Sequence, residues 1–163
     1  MERTGVLFVC LGNICRSPLA EGIFLDMIAK RGIADHFDVD SCGTGAWHAG
    51  ERADHRSIAV AAQHGIELPS IARQLDPAHD FDRFHWLIAM DRANAKSIIA
   101  AGGPPEHIRL MRSFDPAIAK SAKSELDVPD PYDWAGDGFE DVYRMLDTAC
   151  RGLVEFLVDE LQS

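Results

Sequence analysis

The chain has 163 residues, with 16 Lys and Arg against 26 Asp and Glu, for a formal net charge of −10. Its 47% apolar and 26% charged residues match an ordinary globular domain and exclude a disordered, collagen-like or low-complexity chain. The acidic balance argues against nucleic acid or an anionic membrane surface as partner, and no apolar run approaches the ~18 residues of a membrane span.

Residues 6–10 form a short continuous apolar run, the pattern of a strand buried on both faces, closed by the turn signal Leu11-Gly12-Asn13. From Ser17 the period becomes helical through Leu19, Ile23, Phe24, Met27 and Ile28, ending before Gly32. Ser17 is the predicted N-cap, with Pro18 at the first helical position and Glu21 in the first turn. Residues 37–41 alternate as a weaker strand, and 43–52 read as a glycine-rich loop. Residues 57–64 read as a helix stopped by Gly65. A third strand is expected at 86–90, then a helix through Ala101, and a fourth strand at 107–111. Residues 115–131 are loop-like and acidic, and 139–161 carry the apolar stripe of a long final helix. This alternation predicts an α/β fold in one domain over residues 1–163, a mainly parallel sheet with helices on both faces.

The first residues lack the basic segment and long apolar core of a signal peptide. Four cysteines in a chain of this size do not read as a disulfide framework, so a cytoplasmic protein with free thiols is expected. The seven histidines show no paired ligand spacing with the cysteines, and neither metal nor cofactor is expected.

In parallel α/β folds, ligands bind outside the carboxyl ends of the strands. The first such turn reads Cys10-Leu11-Gly12-Asn13-Ile14-Cys15-Arg16-Ser17-Pro18. A cysteine at a strand end, five turn residues, then arginine and serine at a helix start make an anion-binding device. Inward-facing N–H groups and the helix N-terminus supply positive potential, and Gly12 permits close wrapping around a tetrahedral anion. The Arg16 fork can grip two oxygens of that anion. Cys10 would lie beneath it, held as a thiolate by the same field, with the Ser17 hydroxyl donating to the sulfur. A nucleotide-binding loop is excluded because no lysine precedes the serine.

The segment from Val9 to Glu21 resembles the signature of the low-molecular-weight protein tyrosine phosphatases. The likeness continues at Ser41-Cys42-Gly43-Thr44, Ala72-Arg73-Gln74, Met90-Asp91 and Asp130-Pro131-Tyr132. The resemblance implies a four-stranded parallel sheet of the phosphotyrosine phosphatase I type. It also implies Cys10 as nucleophile, Arg16 as phosphate clamp, Ser17 as thiolate partner and Asp130 as proton donor. Leu11, Gly12, Asn13, Ile14 and Cys15 would complete the phosphate loop. Where members of that family carry a histidine that supports the loop asparagine, this chain has Ser70 or Ile71, so Asn13 needs other support.

A phenolate leaving group has a pKa near ~10 and needs a proton as it departs at pH 7. Pro129 and Pro131 restrain the loop around Asp130, while Asp127 and Asp133 are rival acids by residue chemistry alone. Trp47, Tyr132 and Trp134 are large aromatics in loops, read as walls of a slot for a flat phenyl ring. His48 and Asp54 follow the first wall. The predicted substrate is a phosphotyrosine protein or an aryl phosphate, handled by a monomer or weak dimer.

Three other chemistries are weighed against this one. Arsenate reduction needs two further thiols, and the second half of the chain offers Cys150 alone. The related protein-arginine phosphatases often have threonine where this loop has Ile14, and the bulkier apolar side chain favours tyrosine. A phosphate-binding module without turnover would lack Cys10 or Asp130, and both are present. Finally, Cys15 lies five positions after Cys10 in a loop that must curl on itself, within plausible reach of a disulfide. Two readings stand: Cys15 captures an oxidised Cys10 reversibly, or it packs as a small apolar residue.

Overall fold

The computed structural model describes residues 2–132 and 138–163. Asp133 and Trp134 therefore lie outside the described residues. Four strands, β1 (Thr4–Cys10), β2 (Phe37–Gly43), β3 (Trp86–Ala89) and β4 (Ile108–Leu110), form one sheet in the order β2-β1-β3-β4. Every pairing is parallel. Chain order reverses across β1, so the crevice at its carboxyl end is where a ligand site belongs.

Successive β1 side chains point to opposite faces of the sheet, and each face has its own core. Val6 and Phe8 pack with α1 (Arg16–Lys30), α2 (His55–Gln63) and α5 (Gly138–Gln162). Leu7 and Val9 pack with Leu75, Phe84 and Ile98, under α3 (Pro77–Arg83) and α4 (Arg92–Ala100). The helix ends follow local chemistry. Asp54 caps α2 by accepting from the Arg56 N–H, and Asp76 caps α3 by accepting from the Ala78 N–H, with Pro77 in the first turn. Asp91 and Asn94 form a reciprocal capping box on α4. Helix α1 ends at Gly32, whose φ of 70° closes the turn while the Ile33 N–H donates to the Ile28 carbonyl at 3.0 Å.

Two features depart from the sequence reading. Ser17 is not the N-cap of α1: the helix starts at Arg16, Cys15 occupies the cap position, and no side chain caps it. The Ser17 hydroxyl is turned toward Cys10 instead, at 3.0 Å. Helix α3 has no counterpart in the sequence reading, because its seven residues are too few to display a helical period. No described helix is long and apolar enough to cross a membrane.

Candidate active site

The turn between β1 and α1 is tied down from outside. Its carbonyls are taken up by neighbouring N–H groups: Thr44 donates to Cys10 O at 2.9 Å, Gly45 to Leu11 O at 2.9 Å and Asp54 to Ile14 O at 2.7 Å. With the carbonyls outward, the turn presents its N–H groups to the interior of the curl, the geometry of an anion nest. The Asn13 N–H reaches Cys10 Sγ at 3.2 Å. Close lacing requires Gly43, where a Cβ would stand 2.8 Å from the Leu11 carbonyl oxygen.

Asn13 has a φ of 58°, a left-handed conformation that asparagine tolerates better than most residues. Its side chain does not line the site. It is fully buried, donates to Ser17 Oγ at 2.8 Å and Ser41 Oγ at 3.0 Å, and accepts from the Arg73 N–H at 3.0 Å. Ser41 and Arg73 thus supply the other support that Asn13 needs in place of a histidine. The Ser70 hydroxyl is buried with no hydrogen-bond partner among the described residues, and Ile71 is exposed. Ser41 in turn donates to Glu21 at 2.6 Å. Burial pushes the Glu21 carboxyl up to about 7, against the stabilising Ser41 hydrogen bond.

Arg16 is 2% exposed, and its NH1 donates to Asp91 Oδ2 at 2.7 Å and to the Val128 carbonyl at 2.9 Å. Burial opposes its charge, but Cys10 and Asp91 more than compensate and raise its pKa. Its NH2 lies 3.6 Å from Asp130 Oδ2. Asp130 is half-exposed and accepts from the Tyr132 N–H at 3.1 Å. The rival Asp127 is engaged by Arg92, accepting its backbone N–H at 2.9 Å, and does not line the slot.

These groups enclose a slot of about 230 Å³. Cys10 and Arg16 form its floor with Gly12 and Cys15; Leu11, Ile14, Trp47, His48 and Tyr132 form the walls, and Asp130 stands at the mouth. Tyr132 is held from behind by Arg56, whose guanidinium lies 5.5 Å from its ring centre and is itself paired with Asp54 at 2.9 Å. His48 faces the Tyr132 ring at 6.1 Å and is paired with Glu51 at 3.1 Å. A larger groove, about 790 Å³, runs between α1 and α5, but no cysteine is among its described lining residues, and several of its charges pair with one another, as Lys30 with Asp26 and Arg151 with Asp147.

The slot therefore gathers Cys10, Leu11, Gly12, Ile14, Cys15, Arg16, Trp47, Asp130 and Tyr132. Asn13 and Ser17 act from behind it. Four participants had no assigned role in the sequence reading: Asp91, Ser41, Arg73 and Glu21 as a buried carboxyl. Asp91 was visible only as a landmark beside Met90, and Glu21 only as a first-turn helix residue. All four cysteines are free and buried. Burial, then Asp54, pushes the Cys15 thiol up, and burial does the same to Cys42 and Cys150. No cluster of three or more metal-ligating side chains occurs among the described residues.

Comparison with known proteins gives a consistent result. Residues 5–163 match the family model of the low molecular weight phosphotyrosine protein phosphatases. A low molecular weight protein-tyrosine-phosphatase of Streptomyces coelicolor is 40% identical over 161 residues, covering 96% of this chain and 95% of that one. The crystal structure of YfkJ from Bacillus subtilis superposes with a TM-score of 0.88 at 36% identity, covering 98% of each chain. A Drosophila arginine phosphatase superposes with a TM-score of 0.82 at 32% identity, covering 93% of this chain and 96% of that one.

Proposed function

The chain belongs to the low molecular weight phosphotyrosine protein phosphatase family and is a protein tyrosine phosphatase, and on that premise we propose the role of each residue in the slot. Cys10 Sγ attacks phosphorus at the slot floor, forming the S–P bond as the tyrosyl P–O bond breaks. Asp130, at the mouth, gives its proton to the departing phenol oxygen. A water molecule then attacks the cysteinyl phosphate with Asp130 as base, releasing inorganic phosphate and restoring the thiolate. The nest amides and Arg16 stabilise the equatorial oxygens without reorganising, because Arg16 is fixed by Asp91 and Val128 before substrate arrives.

One observation carries this reading. Cys10 Sγ sits within hydrogen-bond reach of Ser17 Oγ (3.0 Å) and the Asn13 N–H (3.2 Å), on the floor of a slot that also holds Arg16 and Asp130. The aromatic walls support a phosphotyrosine protein as substrate: Trp47 and Tyr132 offer apolar contact to a phenyl ring and little to a short serine stem. The Drosophila relative acts on phosphoarginine by its name, but the wall residue Ile14 here is apolar and suits a ring better than a guanidinium. The four free thiols suit a reducing cytoplasm, and one chain supplies the whole described slot, consistent with a monomer or weak dimer.

The test is hydrolysis of phosphotyrosine, p-nitrophenyl phosphate, phosphoserine and phosphoarginine peptides by wild type, Cys10→Ser and Asp130→Ala. Cys10→Ser should abolish turnover. Asp130→Ala should lose about 10²–10⁴-fold on phosphotyrosine and less on p-nitrophenyl phosphate, whose leaving group needs a proton less. Residual turnover by Cys10→Ser, or an equal Asp130→Ala loss on both esters, would overturn the assignment.

A further inference from the structure

The slot has a neighbour. Leu11 and Trp47 line the slot on one side and, on the other, a separate groove of about 490 Å³ at the carboxyl edge of the sheet. Leu75, Pro77 and Ala101 give this groove an apolar floor and wall, with the polar groups of Thr44, Gln74 and Ser97 at its rim. No ionisable side chain among the described residues lines it. The opposite flank of the slot is different, since the groove beyond Asp130 is lined by Asp91, Arg92, Lys96 and Asp127. In a chain of net charge −10, an uncharged groove beside the catalytic slot is a distinct chemical environment.

The partition between slot and groove is built into the backbone. Trp47 is 72% exposed, yet its indole rests on Gly45, where a Cβ would fall 1.8 Å from Cζ3. Any side chain at position 45 would drive the indole off this shelf. Gly45 is itself anchored to the catalytic turn through its N–H bond to the Leu11 carbonyl. The indole thus stands as a slab with one space on each side.

We propose that this groove is a substrate subsite that takes an uncharged, apolar side chain flanking the phosphotyrosine of a protein substrate. The inference rests on the catalytic reading above and extends it to the sequence around the phosphorylated residue. A tyrosine seated in the slot must leave its main chain at the mouth, over Leu11 and Trp47 on one side or Asp130 on the other. An extended chain advances ~3.3–3.6 Å per residue, so a residue one or two positions away clears one indole and drops into the groove. Leu11, 45% exposed, gives the crossing chain an apolar surface. An acidic flanking side chain would lose hydration there and find no cation among the lining residues.

The test is a scan of phosphotyrosine peptides with Leu or Asp at each of the two positions on either side of the phosphotyrosine. Ser97→Glu and Ala101→Glu are assayed in parallel. Both positions are exposed on or just after α4 and outside the catalytic slot, so neither change disturbs the core. In wild type, Leu should exceed Asp by about tenfold in kcat/KM at one position, expressed in KM, as burial of one apolar side chain allows. Each glutamate variant should erase that preference while leaving p-nitrophenyl phosphate turnover unchanged. A flat scan with normal p-nitrophenyl phosphate turnover overturns the subsite and leaves the catalytic reading standing; loss of that turnover in wild type overturns both. Concentration-dependent self-association abolished by Ser97→Glu would assign the groove to a second copy of the chain and overturn the proposal.

Discussion

The side-chain amide of Asn13 donates to Ser17 Oγ at 2.8 Å, and this bond decides where the Ser17 proton points. A hydroxyl has a single proton. With Asn13 as donor, Ser17 keeps its own proton for an acceptor, and Cys10 Sγ at 3.0 Å is nearer than the Cys42 carbonyl at 3.4 Å. The same amide group donates to Ser41 at 3.0 Å, whose proton then goes to Glu21. One asparagine in a left-handed turn therefore orients two buried hydroxyls.

Ser17→Ala should slow alkylation of Cys10 by iodoacetate at neutral pH by about ten- to a hundredfold and lower kcat, with KM little changed. The estimate follows from the ~1.5–3 kcal/mol of a hydrogen bond to a charged group. Unchanged alkylation would show that the Ser17 proton does not serve the thiolate.

Asp91 joins two tasks in one carboxylate: Oδ1 caps α4 by accepting from the Asn94 N–H at 2.7 Å, and Oδ2 holds Arg16. Asp91→Ala should cost about 1 kcal/mol of stability through the lost cap. It should also cost up to about 10²-fold in kcat/KM, because Arg16 loses its register. Asp91→Asn keeps a cap of similar strength while removing the charge facing Arg16, so stability should recover more than activity. Urea unfolding beside phosphotyrosine kinetics separates the two effects, and parallel recovery of both would make Asp91 a cap only.

Glu21 should make the protein less stable as pH rises. Its folded pKa of about 7 lies above its ordinary value of 4.5, so the folded state binds the extra proton between those values. Stability then falls as pH rises from about 4.5 to about 7 and levels off above. Glu21→Gln retains an acceptor for Ser41 and removes this term. Its stability relative to wild type should improve between pH 4.5 and pH 8 by up to about 3 kcal/mol, at 1.36 kcal/mol per pKa unit. Urea melts of both proteins at the two pH values check this, and parallel curves would mean Glu21 does not titrate in that window.

Cys15 lines the slot floor with Cys10, and burial raises its thiol pKa. We predict that peroxide converts Cys10 to a sulfenic acid, that the Cys15 sulfur then attacks that sulfur, and that the oxygen leaves as water and a disulfide remains. Because a thiolate attacks faster than a thiol, capture should accelerate as pH rises. Wild type treated with peroxide should recover with dithiothreitol, whereas Cys15→Ser should recover far less while keeping normal activity under reducing conditions. Equal recovery would leave Cys15 a packing role only.

The sequence alone determined the catalytic turn. Residues 10–17 are contiguous, and an apolar run, a glycine turn and a helix start specify β1, the nest and α1 without distant contacts. It determined the alternation of strands and helices for the same local reason, and so the parallel sheet. It could not supply what joins residues far apart. The Asn13–Ser41 bond spans 28 positions, Arg16–Asp91 spans 75 and Arg16–Val128 spans 112. Local pattern gave Glu21 a place in a helix turn and Ser17 a cap, both sound readings of propensity. Glu21 kept its place in the helix, though past the first turn, whereas the Ser17 cap was overruled; both side chains turn to tertiary partners, because a buried carboxyl or hydroxyl must find its partner wherever the fold brings one. The placement of Asp127 and Asp130 was likewise tertiary: Arg92 at the start of α4 engages Asp127, which does not line the slot, while Asp130 does.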